Sequence, residues 1–90
     1  MYKSIAEIKA KNKEVGRYFF SANSMSFFVS KIESGVIKGK YFITSEKKCF
    51  DDTNRAYTVR EAREDGSIKT IGGFVGFETY DEAEDYLERI

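Results

Sequence analysis

The sequence predicts an α+β domain: an antiparallel sheet of about four strands, with an N-terminal and a C-terminal helix packed on one of its faces. Helix-start signals stand near both ends of the chain, and short β-rich runs separated by turn residues fill the stretch between them. That stretch has no helical period long enough for the crossover helices that join parallel strands, so the strands are expected to pair antiparallel. With 90 residues the chain is a single domain, 1–90, large enough to fold without a metal or a disulfide.

A capping box marks the start of each helix, because an N-cap hydroxyl and a glutamate three residues later satisfy amides that the first turn leaves free. Ser4 and Glu7 start the first helix at about residue 5, and Gly16 is its natural end. Thr79 and Glu82 start the second helix near the end of the chain. The apolar positions of this C-terminal helix recur at helical spacing. They are Tyr80, Ala83, Leu87 and Ile90.

The β-rich runs predict four strands, at residues 27–33, 40–45, 57–63 and 67–77. Asp65-Gly66 is a two-residue hairpin signal between the last two strands. Gly72-Gly73, inside the last strand, predicts a bulge or a close approach of another backbone.

The connections complete this arrangement. Residues 21–25 are expected to form a short helical turn ahead of the first strand, and the first strand turn falls at 34–35 or 38–39. The connection over 46–55 is the expected mobile loop.

The charge of the chain is divided by sign, although fifteen basic and fifteen acidic residues give a formal net charge of zero. Residues 1–48 carry ten Lys or Arg and four acids, a net charge of +6. Residues 49–90 carry five Lys or Arg and eleven acids, a net charge of −6. A division of this kind indicates binding through charged surfaces, without naming the partner.

The residue inventory argues against catalysis. The chain has no His, which removes Ser/His/Asp and Cys/His nucleophile activation and every metal site that contains His. Cys49 is the single cysteine, so it has no internal disulfide partner and makes no zinc site of Cys ligands. We therefore expect a protein that is not an enzyme and that needs no cofactor and no metal.

The location follows from the same inventory. No stretch approaches the ~18 apolar residues of a membrane span, and residues 1–10 lack the apolar run of a signal peptide. We expect a protein of the bacterial cytoplasm that does not contact a membrane.

Two surfaces are candidates for binding. The first is a protein-binding surface in which Tyr41 joins the acids of the C-terminal helix. Its acidic members are Asp81, Glu82, Glu84, Asp85 and Glu88. The second is a nucleic-acid-binding surface, in which basic side chains neutralise phosphates and an aromatic ring stacks on a base. Its members are Lys9, Lys11, Lys13, Lys38, Lys40 and Tyr41.

The accessible face of the sheet decides between these surfaces. Alternation along the second predicted strand places Tyr41 and Ile43 on one face, and Phe42 and Thr44 on the other. With both helices on a single face, the opposite face would be open for binding. The alternative is that both faces are covered.

An ordered set of aromatic, glycine and polar positions runs over most of the chain. It comprises Asn12, Gly16, Phe19-Phe20-Ser21, Met25, Phe27-Phe28, Tyr41-Phe42, Thr44-Ser45-Glu46, Tyr57-Thr58-Val59-Arg60, Gly73-Phe74, Gly76-Phe77 and Thr79. This signature resembles a family of small proteins of bacteriophages and mobile elements that has no settled activity. The resemblance implies a phage-encoded accessory protein, and inhibitors of host defence such as anti-CRISPR proteins are prominent among phage domains of this size. It implies no functional residue.

We therefore expect a protein that binds and inhibits or modulates a bacterial nucleic-acid-handling complex, a protein or ribonucleoprotein of the CRISPR-Cas kind. It would act through the acidic helix and exposed aromatics of the sheet. The alternative is a small nucleic-acid-binding protein that uses the basic surface. A third hypothesis is a homodimeric structural accessory protein, for which an exposed edge strand or aromatic face would serve.

Overall fold

The computed structural model describes residues 1–47 and 54–90. In chain order, the elements over these ranges are α1 (Ile5–Glu14), α2 (Ala22–Ser26), β1 (Lys31–Ile32), β2 (Tyr41–Lys47), β3 (Arg55–Ala62), β4 (Ile68–Ile71) and α3 (Tyr80–Arg89). The strands form one sheet in the order β1-β2-β3-β4, and each neighbouring pair is antiparallel. The predicted α+β class, with a four-stranded antiparallel sheet and a helix near each end, is confirmed.

Both terminal helices begin at the predicted caps. The Ser4 hydroxyl accepts a hydrogen bond from the Glu7 amide at 3.2 Å, and the Thr79 hydroxyl accepts one from the Glu82 amide at 3.2 Å. Each glutamate in turn accepts the amide of the residue just before the N-cap, at 2.9 and 3.0 Å. Gly16 follows α1 with φ 78°, the left-handed conformation that glycine adopts most readily.

The two terminal helices lie on opposite faces of the sheet. Adjacent residues of a strand point to opposite faces. Ile43 of β2 packs with Ala83 and Leu87 of α3. Its neighbour Phe42 packs with Ile8 of α1. The prediction that both helices pack on one face is therefore wrong, because the central strands carry apolar residues at both odd and even positions and need cover on both sides.

The first strand is much shorter than the predicted 27–33. The helical turn predicted at 21–25 is present as α2, and the chain keeps turning beyond it. Phe27 is still right-handed helical, and Val29 has φ 53°. Antiparallel pairing with β2 begins only at Lys31, because the residues before it form turns.

The last strand leaves the sheet after Ile71, whereas the prediction continued it to Phe77. Gly72 and Gly73 have φ of 77° and 94°, which turns the chain out of the sheet. The chain returns at Phe77, which bridges to Tyr57 of β3. The predicted bulge is therefore a longer loop between two points of contact with β3.

The connection between β3 and β4 is the predicted hairpin at Asp65-Gly66. Of these two residues only Gly66 has positive φ, at 86°, so the loop is not the two-residue type I′ turn. The Arg63 amide donates to the Ser67 carbonyl at 2.9 Å and closes the loop. The prediction of a mobile loop over 46–55 is corrected at its ends, where β2 and β3 extend, and Cys49 lies outside the described residues.

A buried ion pair joins β2 and β3 on the face that α1 covers. Glu46 is fully buried, and Nη2 of the nearly buried Arg60 donates to its carboxylate at 3.1 Å. Three hydroxyl groups complete the network. Those of Thr44 and Thr70 accept hydrogen bonds from Nε and Nη1 of Arg60 at 3.1 and 2.7 Å. The Thr58 hydroxyl donates to the Glu46 carboxylate at 2.7 Å. Burial lowers the pKa of the Arg60 guanidinium, and the Glu46 charge opposes that shift.

Two phenylalanine rings flank the guanidinium of this pair. The Arg60 Cζ lies 5.1 Å from the Phe19 ring centroid and 5.7 Å from that of Phe74. Both distances allow a cation–π attraction. A single side chain thus connects the sheet to the segment after α1 and to the loop after β4.

We predict that Glu46→Gln lowers the free energy of unfolding by about 3 kcal/mol or more, because it leaves the buried Arg60 charge without its counter-charge. The control is Glu61→Gln. Glu61 pairs with Lys40 and Arg63 at 3.4 and 3.5 Å near the surface, where an ion pair contributes about 1 kcal/mol or less. Urea unfolding of both variants measures the difference, and equal losses would contradict the prediction.

Candidate functional site

The acids of α3 form a line along one side of the helix. Asp81, Glu84, Asp85 and Glu88 are spaced i, i+3, i+4 and i+7, which places neighbours about 5–6 Å apart between Cβ atoms. We call these four residues the acidic stripe. All four are exposed, and the buried residues of α3 are those that pack on the sheet. The structure therefore brings together four of the five acids that the sequence singled out.

The fifth acid, Glu82, has a different role. Its carboxylate accepts the amide of Glu78 at 3.0 Å, as part of the helix cap. It is exposed, but its helical position lies about 100° from that of Asp81, off the acidic stripe.

The acidic stripe has no counter-charge in the described part of the chain, where no Lys or Arg lies within ion-pair distance of its members. A neighbouring tyrosine senses the negative field. Burial, and then the charges of Glu84, Glu33 and Asp81, raise the pKa of Tyr80. Glu33 follows β1, so the negative region extends from α3 towards the edge of the sheet.

Tyr41 lies on the same side of the sheet as α3, but it is not an exposed aromatic. Its ring packs against the core cluster under α3, and the Lys40 Nζ lies 5.1 Å from its centroid. Tyr41 is therefore half-buried, and its use as a binding contact stays a prediction. The predicted alternation, with Tyr41 and Ile43 on one face and Phe42 on the other, is confirmed.

The five lysines of the predicted nucleic-acid surface do not act as one group. Lys38 Nζ donates to the carbonyls of Leu87 and Ile90 at 2.7 and 2.8 Å, at the carboxyl end of α3. Lys40 pairs with Glu61 at 3.4 Å. Two of the five are therefore committed to partners within the fold, and Tyr41 is half-buried.

Of the three lysines of α1, Lys9 and Lys13 are exposed and Lys11 is half-buried. Lys11 lies 4.0 Å from Glu14 in a weak surface pair. Lys9 and Lys13 have no ion-pair partner in the described part of the chain. The basic half of the sequence therefore leaves cations free on the side of the sheet away from α3.

Sequence analysis did not identify a group of exposed rings on that same side. Phe27, Phe28 and Phe74, here called the phenylalanine patch, are 62%, 36% and 41% exposed. Their centroids are 4.8 Å apart between the first two and 4.9 Å apart between the last two. These residues are far apart in the chain, so only the fold brings them together.

Each end of the phenylalanine patch is followed by a valine with positive φ. Val29 has φ 53° and Val75 has φ 48°, and this conformation costs a β-branched residue about 1–2 kcal/mol. Such strain persists where other contacts fix the backbone. The Arg55 guanidinium bonds to the Val29 carbonyl, and the Val75 amide donates to Thr58 at 2.9 Å. The feature of the sequence that these two sites share is the dipeptide Phe-Val, at residues 28–29 and 74–75.

The described residues contain no group of three or more Cys, Asp or Glu that would hold a metal ion. Over the same two ranges, no helix is long and apolar enough to cross a membrane.

A model of a family of unknown function, DUF7447, matches residues 4–88. The chain belongs to this family. Searches of curated proteins and of solved structures gave no match. Membership confirms the expected resemblance at the level of a family without a settled activity, and a phage or anti-CRISPR role stays a prediction.

We predict that Lys38→Gln lowers the free energy of unfolding by about 1 kcal/mol, because α3 loses the cation that binds its last carbonyls. Lys31→Gln is the matched control, since Lys31 is an exposed lysine of the sheet edge. Hydrogen exchange should quicken in the last turn of α3 in the first variant alone. Equal behaviour of the two variants would contradict a capping role for Lys38.

We also predict that Val29→Asn leaves the free energy of unfolding unchanged or raises it by up to about 1 kcal/mol, because Asn accepts positive φ more readily than Val. Val15→Asn is the control. Val15 has nearly the same exposure, 40% against 39%, but φ is −87°. Only packing is lost in the control, so thermal unfolding should occur at a lower temperature there. A larger loss at Val29 would show that no strain is relieved.

Proposed function

We propose that this protein is a non-enzymatic binding protein of the phage accessory type, acting in the bacterial cytoplasm. It binds and inhibits or modulates a nucleic-acid-handling complex, of which CRISPR-Cas is one example, by placing the acidic stripe of α3 on a basic surface of that complex. The observation that carries the proposal is the exposed line of four acids, which form no ion pair among residues 1–47 and 54–90.

The stripe is costly for the isolated protein. Its members form like-charge neighbours at i+3 and i+4, and each such pair destabilises a helix by about 0.2–0.5 kcal/mol. The two members nearest the carboxyl end, Asp85 and Glu88, also face the negative end of the helix dipole. Lys38 already offsets part of the second penalty at the last carbonyls of α3. A basic partner would relieve the repulsion between the acids, which supports a role in binding.

The spacing of the stripe supports a nucleic-acid-binding groove as its target. Asp81 and Glu88 are seven residues apart, about 10 Å along the helix axis. Four acids over that length average one charge per about 3.5 Å of helix axis, close to the ~3.4 Å of duplex axis per phosphate of one DNA strand. A groove that binds phosphates therefore offers its cations at a matching density, and charge attraction of this kind speeds association.

The test is capture of proteins from nuclease-treated bacterial lysate on the tagged full-length chain, followed by mass spectrometry and a binding titration with the captured protein. We predict that Glu84→Gln with Glu88→Gln weakens binding by about tenfold, because two charge pairs are lost. Added duplex DNA should compete with the wild-type chain for the captured protein.

The control carries the same chemistry away from the stripe: Glu14→Gln with Glu64→Gln, two exposed acids. This pair should bind as the wild type does. The stripe variant should also unfold at the same or a higher temperature than the wild type, which separates loss of binding from loss of structure. Equal weakening in both variants, or capture that nuclease abolishes, would refute the proposal.

A further inference from the structure

A cleft of about 330 Å³ lies beside the second half of α1, on the side of the sheet away from α3. We call it the basic cleft. Its lining residues are Lys9, Asn12, Lys13, Arg17, Tyr18, Phe20 and Ser21. Its volume is at the small end of the range for ligand pockets in proteins, which is ~300–1,000 Å³.

The charge of the basic cleft is one-sided. Lys9, Lys13 and Arg17 follow one another at intervals of four residues, and the described residues that line the cleft include no acid. None of the three has an ion-pair partner within the described ranges. Asp65 is a nearby acid: hydrogen bonds from Ser67, and less strongly the charges of Arg17 and Arg63, lower its pKa. Both Ser67 bonds end on one carboxylate oxygen of Asp65, and Arg17 forms no ion pair with it among the described residues.

The cleft also offers two kinds of aromatic surface. Tyr18 is 67% exposed, so one face of its ring is open to a planar group. Phe20 is fixed in place, since it stacks on Phe42 with the centroids 5.8 Å apart. Lys9 Nζ lies 5.8 Å from the Phe20 centroid, which holds this cation at the cleft.

A buried asparagine fixes the wall of the cleft. Asn12 is 2% exposed, its amide group donates to the Gly66 carbonyl at 2.9 Å, and its carbonyl oxygen accepts the Phe19 amide at 3.1 Å. These bonds tie α1 to the hairpin and to the segment that carries Tyr18. The cations and the exposed ring are therefore held near one another before any ligand arrives, which lowers the cost of binding.

We propose that the basic cleft binds a nucleotide unit, with its phosphate on Lys9, Lys13 and Arg17 and its base stacked on Tyr18. Cations neutralise phosphates, and an exposed ring stacks on a base of any sequence. Free nucleotides and single-stranded nucleic acid share this chemistry. The proposal uses none of the residues of the acidic stripe, so it stands or fails independently of the proposed function.

The experiment is a titration of the ¹⁵N-labelled full-length chain with thymidine monophosphate and, separately, with a ten-residue oligodeoxythymidine at about 50 mM salt. We expect the amide signals that shift to belong to residues 9–21. Shifts with both probes would identify a free nucleotide as a sufficient ligand, and shifts with the oligonucleotide alone would identify a strand. No shift in residues 9–21 with either probe would overturn the proposal.

Two variants test the assigned roles by fluorescence anisotropy with the labelled oligonucleotide. Tyr18→Ala should weaken binding by roughly fivefold to a hundredfold, the range for loss of one stacked base. The triple variant Lys9→Gln, Lys13→Gln, Arg17→Gln should weaken binding and reduce the slope of log affinity against log salt by about 0.7, the contribution of one phosphate contact on a single strand.

The matched control removes three exposed lysines elsewhere, Lys3→Gln, Lys31→Gln and Lys69→Gln, with the same change in net charge. It should retain most of the affinity. Equal losses in the two triple variants, or equally tight binding of polyglutamate and oligodeoxythymidine, would show attraction by net charge without a site and would overturn the proposal. Spectra of each variant in the absence of probe establish that it is folded.

Discussion

The buried guanidinium of Arg60 is the group on which one side of this fold depends. It bonds to Thr44 and Glu46 of β2 and to Thr70 of β4, so it joins three strands through one side chain. Phe19 and Phe74, which flank it, come from the segment after α1 and the loop after β4. A charge with so few water contacts needs its partners, because an uncompensated buried ion is very costly. Arg60 therefore adds to the contacts that hold these two segments over the sheet, which include the stacking of Phe20 on Phe42 and the bond from the Val75 amide to Thr58.

Because both faces of the sheet are covered, the surfaces left for binding lie on the helices and loops. With Phe42 under α1 and Ile43 under α3, neither face of the central strands is open to a base or to another protein. α3 carries much of the negative charge, since its five acids stand against Arg89 alone, whereas α1 carries three lysines and two glutamates. The acidic stripe and the group of Lys9, Lys13 and Arg17 lie on opposite sides of the sheet, so each group presents its own field to a partner.

The parts of the fold that the sequence predicted correctly are those set by local chemistry. The caps at Ser4 and Thr79 and the alternation around Tyr41 need only neighbours in the chain. The errors have tertiary causes. The segment at Phe27 reads as a strand, yet Val29 takes positive φ because Arg55 bonds to its carbonyl. The acidic stripe was readable from spacing alone, whereas the basic cleft was only partly so, since Arg17 and Tyr18 gain their meaning from their position beside α1.

Lys38 shows that some charges of the basic half stabilise the fold and are not free to bind a partner. Its ammonium group binds the last carbonyls of α3, where it opposes the repulsion between the acidic stripe and the negative end of the helix dipole. Without that cation, nothing would offset the repulsion between the acids near the carboxyl end of α3 and the negative end of its dipole. One lysine from the basic half is thus used inside the molecule to hold the acidic helix on the sheet. Lys9, Lys13 and Arg17, on the other face, make no such contact, and their charge is left to attract an anion from outside.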